Sequence, residues 1–362
     1  MSLLSITRYS TMSLALLLTI PFASADISQA RWLKLNQAAV NEHILPGYQT
    51  LADKSKHLAA DSASLCKAPS QTTLKQTQAS FIETLNAWQG IQHVQFGPIE
   101  LLMRNYTIQF WPDKKNLTSK QLNVILSAQD PAALQPEFFK TASIAVKGLP
   151  AIERIIFADN ALKQIETTPY RCQFLHAVSE YLVLQTQNTT DEWQTYKQAF
   201  STESSEEGIY ETAQEASIDI MKAQVEQLEV IRDLKILRPL GNEGKAKARR
   251  LESWRSQNAL QNIQMNIQSL HHLYSGINTY NLFQLLKEEG ATDLAEGIEQ
   301  QFITIESALT KLPTPLSQHI KEPAVRQQLL LISQELEQLH TSLDQSMPAL
   351  GLLLGFNSRD GD

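Results

Sequence analysis

Apolar positions recur at three- and four-residue steps along nearly the whole chain, and strict alternation is absent, so the sequence reads as helix after helix. The first long segment covers residues 27–60. Pro46-Gly47 inside it predicts a kink or a break. Pro69-Ser70 offers a cap for a second helix through Thr84 and Trp88 to about residue 95, where Gly97-Pro98 ends or bends it. Residues 104–116 contain Trp111-Pro112-Asp113, lose the helical period and read as loop or extended chain. Residues 119–126 form a short helix capped near Thr118. Thr168-Pro169 starts a long helix, with proline in the first turn where its missing N–H costs nothing. It runs to about Phe200, with a weak point at Asn188-Thr189-Thr190.

The polar, acidic stretch 201–207 reads as a linker. Helical periods resume at residues 208–237, 246–274, 281–311 and 323–347. Arg238-Pro239-Leu240-Gly241-Asn242 separates the first pair, and Leu312-Pro313-Thr314-Pro315 the last. About four helices in each half predict an all-α fold of two helical-bundle halves packed together, residues 26–200 and 208–362.

One stretch departs from this regularity. Residues 142–157 are apolar at helical spacing, yet Gly148 and Pro150 sit in the middle. A glycine costs a helix about 1 kcal/mol and a proline breaks its hydrogen bonding, so a kink or broken turn is expected. The single acid beyond it, Glu153, is flanked by Ile152, Ile155 and Ile156, and a buried carboxylate needs a partner. Two readings stay open. Glu153 pairs with an arginine, Arg154 or Arg104, or it belongs to a site.

Charge and targeting narrow the function classes. Residues 1–25 carry one charge, Arg8, then a short apolar core at Met12–Ile20, and Ala23-Ser24-Ala25 fits a signal-peptidase site. Cleavage between Ala25 and Asp26 makes the mature protein an exported, periplasmic one. No cysteine lies at the junction, so a lipoprotein anchor is not expected, and no later segment is apolar enough to span a bilayer. The formal net charge of −7, with no basic block, argues against nucleic acid as a partner. The 2 cysteines, Cys66 and Cys172, predict one disulfide in an oxidising compartment.

Gly148-Leu149-Pro150-Ala151-Ile152-Glu153 resembles the Gly-x-His-x-x-Glu signature of imelysin-like proteins, with Pro150 where the family pattern has histidine. Leu45-Pro46-Gly47-Tyr48, Trp88 with Phe96-Gly97-Pro98, Phe110-Trp111-Pro112-Asp113, Arg249–Leu260 and Leu354-Gly355-Phe356-Asn357 through Asp362 extend the resemblance over most of the chain. It implies two bundle-like halves with a cleft between them, in an exported protein connected with iron uptake or, for some members, proteolysis.

Candidate chemistry follows. In the family pattern, histidine and glutamate three residues apart face one side of a helix and can share a metal. Proline ligates nothing, which weakens a metallopeptidase site here. The 8 histidines supply neither His-Glu-x-x-His nor its inverse. His271-His272 are adjacent and point about 100° apart on a helix. His176 and Glu180 share a face and read as a surface pair. Glu42-His43, just before Pro46, are candidate metal ligands alongside Glu153, for a divalent metal or iron. The band 104–113, with Arg104, Trp111 and Asp113, is a second candidate binding element beside Gly148 and Glu153. Arg249, Arg250 and Arg255 could pair with Glu153 or with Asp360 and Asp362. The expected function is a binding or accessory component in iron or other metal acquisition at the cell envelope, with a carboxylate-lined cleft around Glu153 helped by Glu42, Glu100 or Asp113. Its partner would be a metal ion or another envelope protein. A metal-dependent peptidase and a non-catalytic docking module are the alternatives.

Overall fold

The computed structural model describes residues 27–200 and 209–352. The targeting segment with its junction at Ala25 and Asp26, the 201–207 linker and the terminal Leu354–Asp362 lie outside the described residues. All regular structure among the described residues is helical, without a strand. None of these helices is long and apolar enough to cross a membrane.

The first helix runs unbroken from residue 29 to residue 67, so Pro46-Gly47 does not end it. A π-helical stretch, Val40–Ile44, ends two residues before the proline. The wider turn takes up the missing N–H and the ring's clash with the carbonyl four residues back. Leu45–Lys67 packs along both Gln71–Gln89 and Pro169–Tyr196. Ser70 caps Gln71–Gln89 through a reciprocal pairing with Thr73, and that helix stops at Gly90 rather than near residue 95. The expected weak point at Asn188-Thr189-Thr190 does not interrupt Pro169–Tyr196. The Thr189 and Thr190 hydroxyls donate to carbonyls one turn back, 2.8 and 2.9 Å away, and Thr190 also reaches the Tyr48 carbonyl. Cys66 and Cys172 form the expected disulfide, with Cα atoms 5.4 Å apart.

In the second half, Ala213–Glu229 continues as a π-helical stretch, Val230–Leu237, through Arg238–Leu240. Residues 281–311 divide into Leu282–Glu288 and Thr292–Thr310, because Gly290 takes a left-handed φ of 80°. Thr292–Thr310 packs on Pro323–Ala349. The largest departure is at residues 246–274. Only Ala259–His271 is α-helix there, preceded by the 3₁₀ turn Ala248–Arg250 and an irregular loop with positive φ at Ser253 and Gln257. Tertiary contacts, given below, override the helical propensity of that loop.

Two helix pairs carry the main packing between the first and second halves. Gln29–Ala39 packs against Ala213–Glu229, and Ala259–His271 against Gln71–Gln89. The buried apolar side chains form one continuous core, from Trp32, Phe81 and Ile152 to Ile267, Phe302 and Leu336.

Candidate functional site: an arginine-lined cleft

The expected kinked helix at residues 142–157 is two pieces. Ile144–Val146 is a 3₁₀ turn, and a new helix, Gly148–Ile156, begins at the motif itself. Pro150 therefore lies in a first turn, where it disturbs nothing. Gly148 has φ 61°, and a Cβ there would fall 2.2 Å from the Thr107 carbonyl oxygen and 2.3 Å from that of Ile108. Only glycine lets the two backbones meet so closely. Leu149, Ala151, Ile152, Ile155 and Ile156 are buried, which fixes the helix's rotation and aims Glu153 at a cleft.

Glu153 is only 6% exposed, and its partner is a serine rather than the expected arginine. Its Oε1 accepts from the Ser256 backbone N–H at 3.0 Å and from the Ser256 hydroxyl at 2.7 Å. Arg154 lies a further 100° around the helix and turns to Asp113 at 3.6 Å, the Ser119 hydroxyl and the Pro150 carbonyl. Arg104 is buried elsewhere, held by Glu192 at 2.7 Å and by the Pro98 carbonyl, and does not line this cleft. Glu153 thus clasps the Gly148–Ile156 helix to the 251–257 loop, which supplies the opposite wall.

That wall is cationic. The Arg255 guanidinium carbon lies over Trp254, 4.3 Å from the ring centre, and that of Arg249 lies 5.5 Å from it. Arg238 and Arg250 complete the rim, and Arg154 closes the motif side of a cavity of about 420 Å³. Among the titratable lining groups, five arginines and Lys114 face two acids, Glu153 and Asp113. The expected carboxylate-lined cleft is therefore a basic one. Glu42 lines a different cavity, and Glu100 sits apart, its carboxyl pushed up by burial and then by Asp219. Asp113 has a structural task as well, accepting the Leu117 and Thr118 N–H groups at 2.7 and 2.9 Å, so the helix expected from residue 119 with a cap near Thr118 begins at Leu117 and takes its cap from Asp113. Burial lowers Arg154 to about 10, helped by Arg255 and opposed by Glu153 and Asp113. Burial also lowers Arg255, with Glu153 opposing, and Arg238, with Arg250 adding to the effect.

A buried polar network stands behind the loop. Lys235 and Glu252, each with a side chain only 2% exposed, pair at 2.9 Å. Lys235 also donates to the Gln89 and Asn266 side-chain oxygens, and Glu252 accepts from Asn262 at 2.8 Å. Asn258 bridges Asn262 and Asn86. These bonds draw Glu252 inward and pull the loop out of helical form. Sequence reasoning missed the network, although asparagines at 258, 262 and 266 mark one polar helix face, legible as a four-residue period.

Glu42 and His43 are not brought to Glu153. His43 bridges two other histidines, its Nδ1 2.9 Å from Nδ1 of His272 and its Nε2 3.0 Å from Nε2 of His93. His43 and His272 both sit on π-helical stretches, Val40–Ile44 and His272–Gly276. The rings form a chain rather than converging on one point, because His43 spends both nitrogens on different neighbours. Burial holds His43 well below its ordinary value, with His93 and His272 adding to the effect, and lowers His93 to about 3. Glu42 accepts the Asn278 N–H at 3.0 Å. His271 points away from His272, to Glu306 and Glu299, as their adjacency predicts. His176 and Glu180 form a loose pair, 3.9 Å apart, with both side chains exposed. Among the described residues, no group of three or more histidine, cysteine, aspartate and glutamate side chains is arranged to hold a metal ion.

Comparison with known proteins gives consistent results. The family model described as Imelysin matches residues 44–343. Iron-regulated protein A of Synechococcus elongatus is 24% identical over 299 residues, which is 79% of this chain and 78% of that protein. Among solved structures, an imelysin-like protein from Psychrobacter arcticum superposes with a TM-score of 0.78 at 20% identity, covering 91% of this chain and 99% of the other. A protein from Parabacteroides distasonis, described as an iron-regulated protein A precursor, gives 0.75 at 16% identity over 90% and 97% of the two chains. At these identities the solved structures bear on the fold alone.

Proposed function

We propose, from the premise that this chain belongs to the imelysin family, that it is a binding or accessory component of iron acquisition at the cell envelope, working without turnover. In this reading the protein is exported to the periplasm after loss of residues 1–25, and halves 26–200 and 208–362 meet at the site. The site is the cleft between the Gly148–Ile156 helix and the 251–257 loop. The observation that carries this is the Glu153–Ser256 clasp, which makes the family's signature glutamate the residue that sets the cleft's width. Iron-regulated protein A of Synechococcus elongatus, similar over most of this chain, supports the link to iron. Arginine and tryptophan at a half-buried cleft are recognition residues, able to grip a ligand in several directions at once.

Calorimetry tests the reading. The purified protein is titrated with ferrous ion and with ferric chelates, beside a Glu153→Ala variant that opens the clasp, and incubated with unstructured peptides. Saturable binding of iron in some form, weakened in the variant, with the peptides intact, is the expected result. Peptide cleavage would replace the binding reading with the peptidase one. Iron binding equal in both proteins would move the site away from this cleft, and no binding of any form would remove the iron function.

A further inference from the structure

Resting on the reading of this cleft as the binding site, we propose that its ligand is an anion carrying two or more oxyanion groups, carboxylates foremost. Iron would then arrive as a negatively charged polycarboxylate chelate and not as a bare cation.

The argument starts from unspent hydrogen-bonding capacity. Among the described residues, the side chains of Arg238, Arg249, Arg250 and Arg255 make no hydrogen bond or ion pair with any protein acceptor. Arg104, Arg154 and Arg326 show the contrast, each donating to carboxylate, hydroxyl or carbonyl oxygens. A guanidinium presents five N–H groups and does not deprotonate in proteins, so the crowding of these cations cannot be relieved by losing a proton. It is relieved by an anion. Guanidinium forks match carboxylate and phosphate oxygens in pairs, and such charge-assisted bonds are about twice as strong as neutral ones.

The surroundings favour an organic anion. The cation–π contacts of Arg255 and Arg249 with Trp254 use no hydrogen-bond acceptor, which leaves their N–H groups for a ligand. Phe81, Leu85 and Leu149 give the cleft an apolar floor that suits a carbon skeleton better than a free inorganic ion. The cavity, about 420 Å³, is of small-molecule size. Its acids do not suit a bare cation, because Glu153 is engaged by Ser256 and Asp113 by a helix terminus, while the arginines around them repel positive charge.

Calorimetry with citrate, ferric citrate, inorganic phosphate and ferrous ion separates the possibilities, using wild type, Arg249→Gln with Arg255→Gln, and Glu153→Gln. Circular dichroism melting of each variant checks folding, and Arg250→Gln serves as a second, milder variant. The proposal expects citrate or its ferric complex to bind, at least tenfold more weakly in the double variant and more weakly as sodium chloride is added. Glu153→Gln removes a negative charge while keeping an acceptor for Ser256, so the anion should bind it severalfold more tightly. Ferrous ion bound by wild type and lost in Glu153→Gln, with no anion bound, would overturn this proposal and leave the iron function standing. Citrate bound while no form of iron binds would uphold the anion site and remove the iron function. Phosphate bound in place of citrate would overturn the carboxylate preference, and citrate bound equally by wild type and double variant would overturn the arginine assignment.

Discussion

Gly148→Ala is the sharpest probe of how the cleft is held. The added Cβ would sit 2.2 and 2.3 Å from two backbone carbonyl oxygens, those of Thr107 and Ile108. Neither can rotate aside like a side chain, so the Gly148–Ile156 helix must retreat by roughly 1 Å to restore ordinary contact, at an overpacking cost of about 1–3 kcal/mol. Holding a non-glycine residue at φ 61° adds about 1–2 kcal/mol. The expected destabilisation is therefore about 3 kcal/mol, with about 2 as the floor. Gly297→Ala is the control: it lies within the Thr292–Thr310 helix, its Cβ would meet nothing within 4 Å, and it should stabilise by about 0.5–1 kcal/mol. Urea unfolding followed by far-ultraviolet circular dichroism measures both, and iron or anion binding should fall in Gly148→Ala because Glu153 moves with its helix. A Gly148→Ala protein within about 0.5 kcal/mol of wild type, beside a well-behaved control, would refute the close backbone approach.

The histidine chain predicts acid sensitivity above the carboxylate range. Folding lowers the proton affinity of His43 and His93, so their contribution to stability is full above about pH 6.5 and falls as the pH drops, by about 2 kcal/mol at pH 5 for His93. Urea midpoints between pH 7 and 5 should show this slope, shallower in His93→Gln; a flat profile over that interval would refute it. For the buried pair, Lys235→Met alone should cost about 3–5 kcal/mol and Lys235→Met with Glu252→Gln markedly less, measured by the same unfolding. A double variant as unstable as the single one would show that the pair's charges are not what holds the loop. Reducing the Cys66–Cys172 bond should cost about 4–5 kcal/mol in the chain-entropy account, since it closes a separation of 106 residues. Unfolding with and without reductant tests that figure, and a difference under about 1 kcal/mol would contradict it.

Helix identity was legible because it rests on local period, whereas the boundaries that failed were set by contacts distant in sequence. Pro46 looked like a kink or a break, and the nearby π turn, which no period announces, keeps its helix whole. Residues 248–257 looked helical because Arg, Leu, Glu and Ser are tolerated in helices, while the bonds of Glu252 to Lys235 and of Ser256 to Glu153 reshape them. The motif pointed to a helix and an acid that line the cleft. It could not show that the facing wall carries arginines, because their convergence depends on how the halves pack. Asp113 was singled out for recognition, and the capping bonds it makes are visible only once Leu117 and Thr118 have positions.

The cleft's charge runs against that of the whole chain, whose formal net charge is −7. At physiological ionic strength the screening length is about 8 Å, so a ligand in the cleft feels the arginines around it and little of the acidic surface beyond. At 0.01 M salt that length grows to about 30 Å, and the distant acids begin to oppose an incoming anion. A uniformly basic protein would gather anions of every kind at low salt. An acidic protein with a small basic cleft attracts only those that have already reached the arginines, and so selects by fit rather than by charge alone. Affinity for the anion should consequently change little between the lowest salt concentrations and fall steeply only when the arginine contacts themselves are screened. That curvature distinguishes a built recognition site from an accidental cluster of surface cations.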